Sequence, residues 1–274
     1  MDKSSYAVTF ACYNQVDYTR QCVDSLVRHG FDLGRLVVID NASADGTREY
    51  LQTLPLGQRI FNNKNLGCGV AWNQGVLALQ SEWTVIMNND VVVSAHWLEN
   101  LLASADALGA KVVSPALVEG SLDYDFEALS LDASRRMHEV ARIGARHAVC
   151  LCVHRSVWDQ VGFFQATPSL WGYEDTLFFH ALDQAGIRTA IVGSSWLHHY
   201  GSITISAMKQ ERGLSSRDGL GARDNYRLLG KSTVRRKWDK FLRKRQEQRW
   251  RADELAQYGM TLHGERKDGQ FVWR

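Results

Sequence analysis

The densest chemistry in the chain is Asn88-Asn89-Asp90, where the apolar, β-prone run Trp83-Thr-Val-Ile-Met87 stops in three polar residues of which only the last carries charge. A buried strand ending this way delivers a carboxylate to the edge of a sheet, and flanking amides suit a hard, oxygen-seeking cation better than an apolar ligand. The same residues would also make an Asx turn, so their meaning depends on what stands with them. Asp40 closes another apolar run, and Glu174-Asp175 opens a helix. Acids in a first turn complement the helix dipole. Here Trp171, Gly172 and Tyr173 add aromatic surface and a hinge beside the carboxylates, which fits a site holding a polar ring against an apolar wall. His198-His199 ends a later strand, and because neighbouring strand residues face opposite ways, at most one of the two joins a metal site.

Alternating elements must bring these groups together. Strands are predicted at 6–12, 35–40, 58–61 and 82–90, and helices at 17–29, 47–54, 67–79 and 94–108. This alternation predicts right-handed βαβ crossovers and a mostly parallel sheet with helices on both faces, whose ligands gather at the carboxyl ends of the strands. The second half reads less regularly. Strands are predicted at 111–114, 146–154, 188–192 and 196–200, with helices at 156–161 and 176–184; residues 120–144 read as a long surface segment that shapes or covers the site.

At 274 residues, 45% hydrophobic and 23% charged, the composition is that of a soluble globular protein, and a net charge of +2 does not point to nucleic acid. Cys12, Cys22, Cys68, Cys150 and Cys152 form no CxxC pair and read as reduced thiols. No secretory signal pattern and no membrane-spanning apolar run is present, so the expected location is the cytoplasm, or the inner face of the cell membrane as a peripheral protein.

Five segments in order, 38–47, 65–75, Met87-Asn-Asn-Asp90, Gly172-Tyr-Glu-Asp175 and His199-Tyr-Gly-Ser202, resemble the signatures of family 2 glycosyltransferases of the GT-A fold, and are especially similar to rhamnosyltransferase-like members that build bacterial surface polysaccharides. The resemblance runs from about residue 6 to 204. It implies a GT-A domain over 1–205 and a metal-dependent, inverting transfer of a sugar from a UDP- or dTDP-linked donor to a hydroxyl of a glycan or lipid-linked saccharide. The donor nucleotide would meet Ala11, Tyr13, Asp40, Asn65, Gly67, Asn73 and Asn89, with Gly67, Gly69 and Gly75 letting backbone approach closely. Asn88 and Asp90 stand where the family has its Asp-x-Asp metal motif, and His199, with His198 as rival, matches a histidine able to complete the metal shell. An imidazole ligand makes Mn²⁺ the expected ion rather than Mg²⁺. Asp175, beside Glu174, matches the general base; Trp171 and Tyr173 are expected on the acceptor side. A nucleotidyltransferase and a catalytically silent nucleotide- or glycan-binding module are the alternatives. Against the first, Cys12-Tyr-Asn-Gln15 replaces the Gly-rich loop such enzymes place after their first strand; Asn88 in place of an acid favours the second.

Residues 206–274 read as a basic, mainly helical appendage, with Val234, Trp238 and Phe241 at helical spacing among the basic residues of 231–251. That stripe either packs on the main domain or attaches to an anionic membrane surface or a lipid-phosphate-linked acceptor; no nucleic-acid motif accompanies it.

Overall fold

The computed structural model describes residues 6–78, 81–166, 174–201, 203, 207–208, 211, 213, 229–230 and 232–274. The chain begins β1 (Tyr6–Cys12), α1 (Val16–Arg28), β2 (Leu36–Asp40), α2 (Thr47–Thr53), β3 (Gln58–Phe61), α3 (Cys68–Ala78), β4 (Trp83–Asn88), β5 (Val91–Val93) and α4 (Trp97–Leu108). It continues with β6 (Val112–Gly120), α5 (Phe126–Arg136), β7 (Ala141–Ile143), β8 (Cys150–His154), α6 (Arg155–Val161), α7 (Glu174–Gln184) and β9 (Thr189–His199). The last elements are α8 (Thr233–Tyr258), β10 (His263–Lys267) and β11 (Gln270–Trp273).

One sheet runs β11-β10-β6-β8-β4-β1-β2-β3, with β9 pairing β5, β6 and β7. β3, β2, β1 and β4 are parallel, and β8 lies antiparallel between β4 and β6. Successive side chains of a strand face opposite sides, and β4 shows why the run Val85-Ile86-Met87 is unbroken by polar residues. Val85 and Met87 join the core packed beneath α1 and α4, whereas Ile86 packs with Trp72, Val157 and Leu182 of α3, α6 and α7. A strand covered on both faces has no polar side to show.

The register aligns the strand ends. Cys12 pairs with Asp40 and Ala11 with Asn88, so β1, β2 and β4 terminate at one edge. β5 pairs antiparallel with β9, setting Val91 opposite His199, and the Tyr200 amide donates to the Asp90 carbonyl at 3.1 Å.

Three elements differ from expectation. The two late strands are one, β9, whose register against β6 shifts between Pro115 and Ala116. Residues 120–144 are not a surface segment: α5 buries Phe126, Ser130 and Ala133, Met137 is buried just after it, and β7 pairs with β9. Nor does the division expected at residue 205 separate the sheet from an appendage, because β10 pairs with β6 and β11 with β10, covering an edge that β6 would otherwise leave open. All five cysteines are free thiols. Among the described residues no helix is long and apolar enough to cross a membrane.

Candidate active site

The end of β4 meets the end of β9 in a buried corner. Asp90 and His199 are both buried, with Asp90 Oδ1 3.4 Å from His199 Nε2. The Asn88 amide lies 3.3 Å from the same ring nitrogen. On the other side of the ring, Nδ1 is 3.2 Å from Glu119 Oε1, and Glu119 Oε2 is 2.8 Å from His263 Nε2. Burial pulls the His199 pKa down, but hydrogen bonds to Asp90 and Glu119 outweigh it and bring the group to about 9. Hydrogen bonds from His199 and then His263 hold the Glu119 carboxyl well below the usual carboxylate range. With a proton on Nε2, hydrogen-bond logic turns the Asn88 amide so that its oxygen, not its nitrogen, faces the ring.

This corner has the donor set for a divalent cation. Ligands about 2.1 Å from a six-coordinate ion and at right angles to one another lie about 3 Å apart, close to the spacings around His199 Nε2. The fit is partial: among the described residues no three His, Cys, Asp or Glu side chains converge on one point. The set is one carboxylate, one imidazole and one amide oxygen, and Glu119 stands behind the imidazole, where a carboxylate fixes ring tautomer and orientation.

The helix α7 begins with Glu174 and Asp175. Asp175 Oδ1 accepts from the Thr176 amide at 2.7 Å, and burial raises its pKa. The approach of α7 to α3 depends on Gly69, where a Cβ would stand 3.2 Å from that of Glu174. The Cys68 thiol is pushed up to about 12, first by burial and then by the charges of Glu174, Asp90 and Asp175.

The loops after β1 and β2 are tied to each other. Asn14 and Gln15 adopt left-handed backbone, at φ 54° and 61°, held by Asn14 Oδ1 accepting from the Ala44 amide at 2.7 Å and Ser43 Oγ from the Asn14 amide at 2.8 Å. They open onto a cleft of about 570 Å³ lined by Tyr13, Asn14, Gln15, Ala44, Asp45 and Glu211 among others. Glu211 accepts there from the Tyr13 hydroxyl at 3.2 Å.

Residues 8–167 match Glycosyl transferase family 2. The chain belongs to that family. Succinoglycan biosynthesis protein ExoO of Rhizobium meliloti (strain 1021) is 31% identical over 120 residues, 42% of this chain and 34% of that protein. The crystal structure of GalNAc-T7 with UDP, GalNAc and Mn²⁺ superposes with a TM-score of 0.57 over 72% of this chain and 44% of that one, at 15% identity. That of S. aureus TarS 1–349 with UDP-GlcNAc gives 0.55 over 72% and 61%, also at 15%. These structures share the GT-A fold with this chain. The chain spans about a third of the length of the curated relatives it matches.

Within this family 2 domain the expected site residues separate into groups. Asn88, Asp90 and His199 come together, as do Glu174 and Asp175. His198 does not join them: β9 turns it to the opposite face, where Nδ1 meets the Tyr124 hydroxyl at 3.0 Å and burial lowers its pKa to about 4. Tyr13 lines the cleft, and Ala11 sits one residue before the end of β1. Asn65 accepts from the Gly67 amide at 2.9 Å, shaping the turn into α3, and Gly67 takes φ 82° there.

Several expected donor contacts face inward instead. Asp40 is fully buried, accepting from the Ser43 amide at 3.1 Å and from Arg48 Nε at 2.6 Å. Asn73 clamps Phe164 through both of its backbone groups, at 2.8 and 3.0 Å. Asn89, turned opposite to its neighbours, donates to Thr19 Oγ1 under α1 at 2.9 Å. Gly75 serves helix packing, since a Cβ would stand 1.9 Å from Thr9 Oγ1. Trp171 and Tyr173 lie outside the described residues. Glu119 and His263 are additions. Glu119 carried the same signal as Asp40 and Asp90, an acid closing an apolar strand, hidden because Pro115 reads as a strand stop.

Proposed function

We propose that this family 2 chain is a metal-dependent, inverting glycosyltransferase that moves one sugar from a UDP- or dTDP-linked donor to a hydroxyl of a glycan or lipid-linked saccharide. The observation that carries the reading is the Asn88–Asp90–His199 corner, backed by Glu119; Asp175 stands at the start of α7, where that helix packs against α3 at Gly69. Asp90, His199 Nε2 and the Asn88 oxygen would hold the cation, which when bound supplies positive charge for the donor diphosphate. Glu119 keeps the His199 Nδ1 proton in place, leaving Nε2 as the donor atom once its own proton is lost. A nitrogen ligand favours Mn²⁺ over Mg²⁺.

Asp175 is the base. As the acceptor oxygen attacks the anomeric carbon from the face opposite the diphosphate, its O–H proton passes to the Asp175 carboxylate while the bond from anomeric carbon to phosphate oxygen breaks. Burial makes Asp175 a stronger base than an exposed aspartate. Glu174 adds negative potential beside it, and Tyr13 offers a ring at the cleft for the nucleobase. The ligands named for GalNAc-T7 and TarS, and the biosynthetic role named for ExoO, support the nucleotide, metal and glycan parts of this reading.

Calorimetric titration with UDP, dTDP and GDP, each with and without Mn²⁺, tests it. The expected result is Mn²⁺-dependent binding of UDP or dTDP that disappears in Asp90→Ala. Metal-independent binding, unchanged in that variant, would instead favour a silent nucleotide-binding module.

A further inference from the structure

The long helix α8 is moored at one end. Near its C-terminus, Glu254 is buried against Arg142 in a two-pronged ion pair at 2.7 and 2.8 Å, and Glu254 also accepts from the Leu262 amide at 2.8 Å. The Arg142 guanidinium lies 5.8 Å from the Trp250 ring, and Arg136 donates to the Tyr258 carbonyl. The first half of the helix is different. Val234 is 79% exposed, Trp238 55%, Phe241 50% and Leu242 47%.

The direction of these side chains decides what they are for. At about 100° per residue, Val234, Trp238, Phe241 and Leu242 share an arc of about 100°. Glu254 comes about 160° round from Trp238. The apolar arc therefore points away from the face by which the helix docks, and the expectation that the stripe packs on the domain is not met. Lys237 and Lys244 border the arc on one side and Arg235 on the other. Arg245 stands within it, its guanidinium 5.7 Å from the Phe241 ring. Long basic side chains around an apolar arc let their stems lie with the apolar groups while the charges reach outward.

We propose that the first half of α8 is a membrane-docking element that lies in the plane of an anionic lipid surface with the Val234–Trp238–Phe241–Leu242 arc buried among the headgroups. Charge selects this occupant. Between Thr233 and Arg251 the helix carries Arg235, Arg236, Lys237, Lys240, Arg243, Lys244, Arg245, Arg249 and Arg251 against Asp239 and Glu247. That excess repels a second copy of the same helix and attracts anionic headgroups. The helix is capped to persist in this exposed state: Ser232 Oγ accepts from the Arg235 amide at 3.2 Å, and Gly259 closes the other end at φ 66°.

Flotation of the full chain with vesicles is the test. Phosphatidylcholine–phosphatidylglycerol vesicles should capture at least about tenfold more protein than phosphatidylcholine alone, and added salt should weaken that capture. A Trp238→Ser/Phe241→Ser variant should lose capture and Lys237→Glu/Lys244→Glu should reduce it, both keeping the parent unfolding temperature because these side chains are exposed. Equal capture by both vesicle types, or capture by neither, overturns the proposal. So does a dimer in light scattering that Trp238→Ser dissolves, which would assign the arc to a second copy. None of these readouts involves nucleotide, so the result is separate from the success or failure of the transfer reading.

Discussion

Asp40 and Asp90 occupy similar places, one the last residue of β2 and the other two residues past the end of β4, and both are buried. Their partners divide them. Asp40 meets Arg48 at 2.6 Å, a cation that never gives up its charge, and the pair locks the loop after β2. Asp90 meets His199, which can exchange its proton for another positive charge. A strand-end acid beside arginine faces a permanent charge; beside histidine it faces one that depends on a proton. Asp175 extends the series, since among the described residues it has no cation partner, and burial leaves it a stronger base.

The largest effect is expected at Asp175. Asp175→Asn should lower kcat by about 10²–10⁴ while donor binding, read by calorimetry, persists. Because the base works ionised and its pKa is raised, activity is present above that pKa and lost as pH falls through it. The acid limb of kcat/KM should therefore lie above the ordinary aspartate value of 3.8. A limb at or below that value would remove Asp175 from the role.

Asp90→Ala should reduce transfer by about 10²–10³ and abolish Mn²⁺-dependent nucleotide binding, with a smaller loss of stability than at Asp40 because His199 can give up its proton. The mirror experiment is Asp40→Ala, expected to cost about 2–3 kcal/mol of stability in denaturant unfolding and to leave Mn²⁺-dependent nucleotide binding in the native protein intact. If the two variants exchanged phenotypes, the rule drawn from their partners would be wrong.

A smaller effect should follow behind the imidazole. Glu119→Gln, and more weakly His263→Ala, should lower Mn²⁺ affinity about 10–100-fold, measured by metal titration, while kcat at saturating Mn²⁺ stays near the parent value. A loss of kcat with unchanged metal affinity would place Glu119 outside the metal's support.

The parts legible in the sequence are those where one physical signal dominates. In β1, β2 and β4 two-sided burial makes strands almost continuously apolar, and in α1 one-sided burial makes a helix periodic, so these elements and their strand-end acids are read directly. The rest was hidden by competing signals. Pro115 suggested a stop in β6, concealing Glu119. Ser130 and Ala133 are small enough to blur the buried face of α5. β10, with the sequence HGERK, has too much charge to look like a strand, so His263 had no visible connection to His199. Asn73 and Asn89 were read by type, but only the fold reveals that their amides tie backbone and helix together.

β6 pairs with β9 on one side and β10 on the other: Leu117 faces both Leu197 and His263. The chain therefore leaves β6 on one side at the end of β9 and rejoins it on the other at β10. Closing such a loop depends only weakly on its length, about 0.6 kcal/mol for each doubling. Within that stretch Glu211 stays tied to Tyr13 and Glu254 to Arg142, whereas the exposed first half of α8 can vary without disturbing the strand that brings His263 to Glu119.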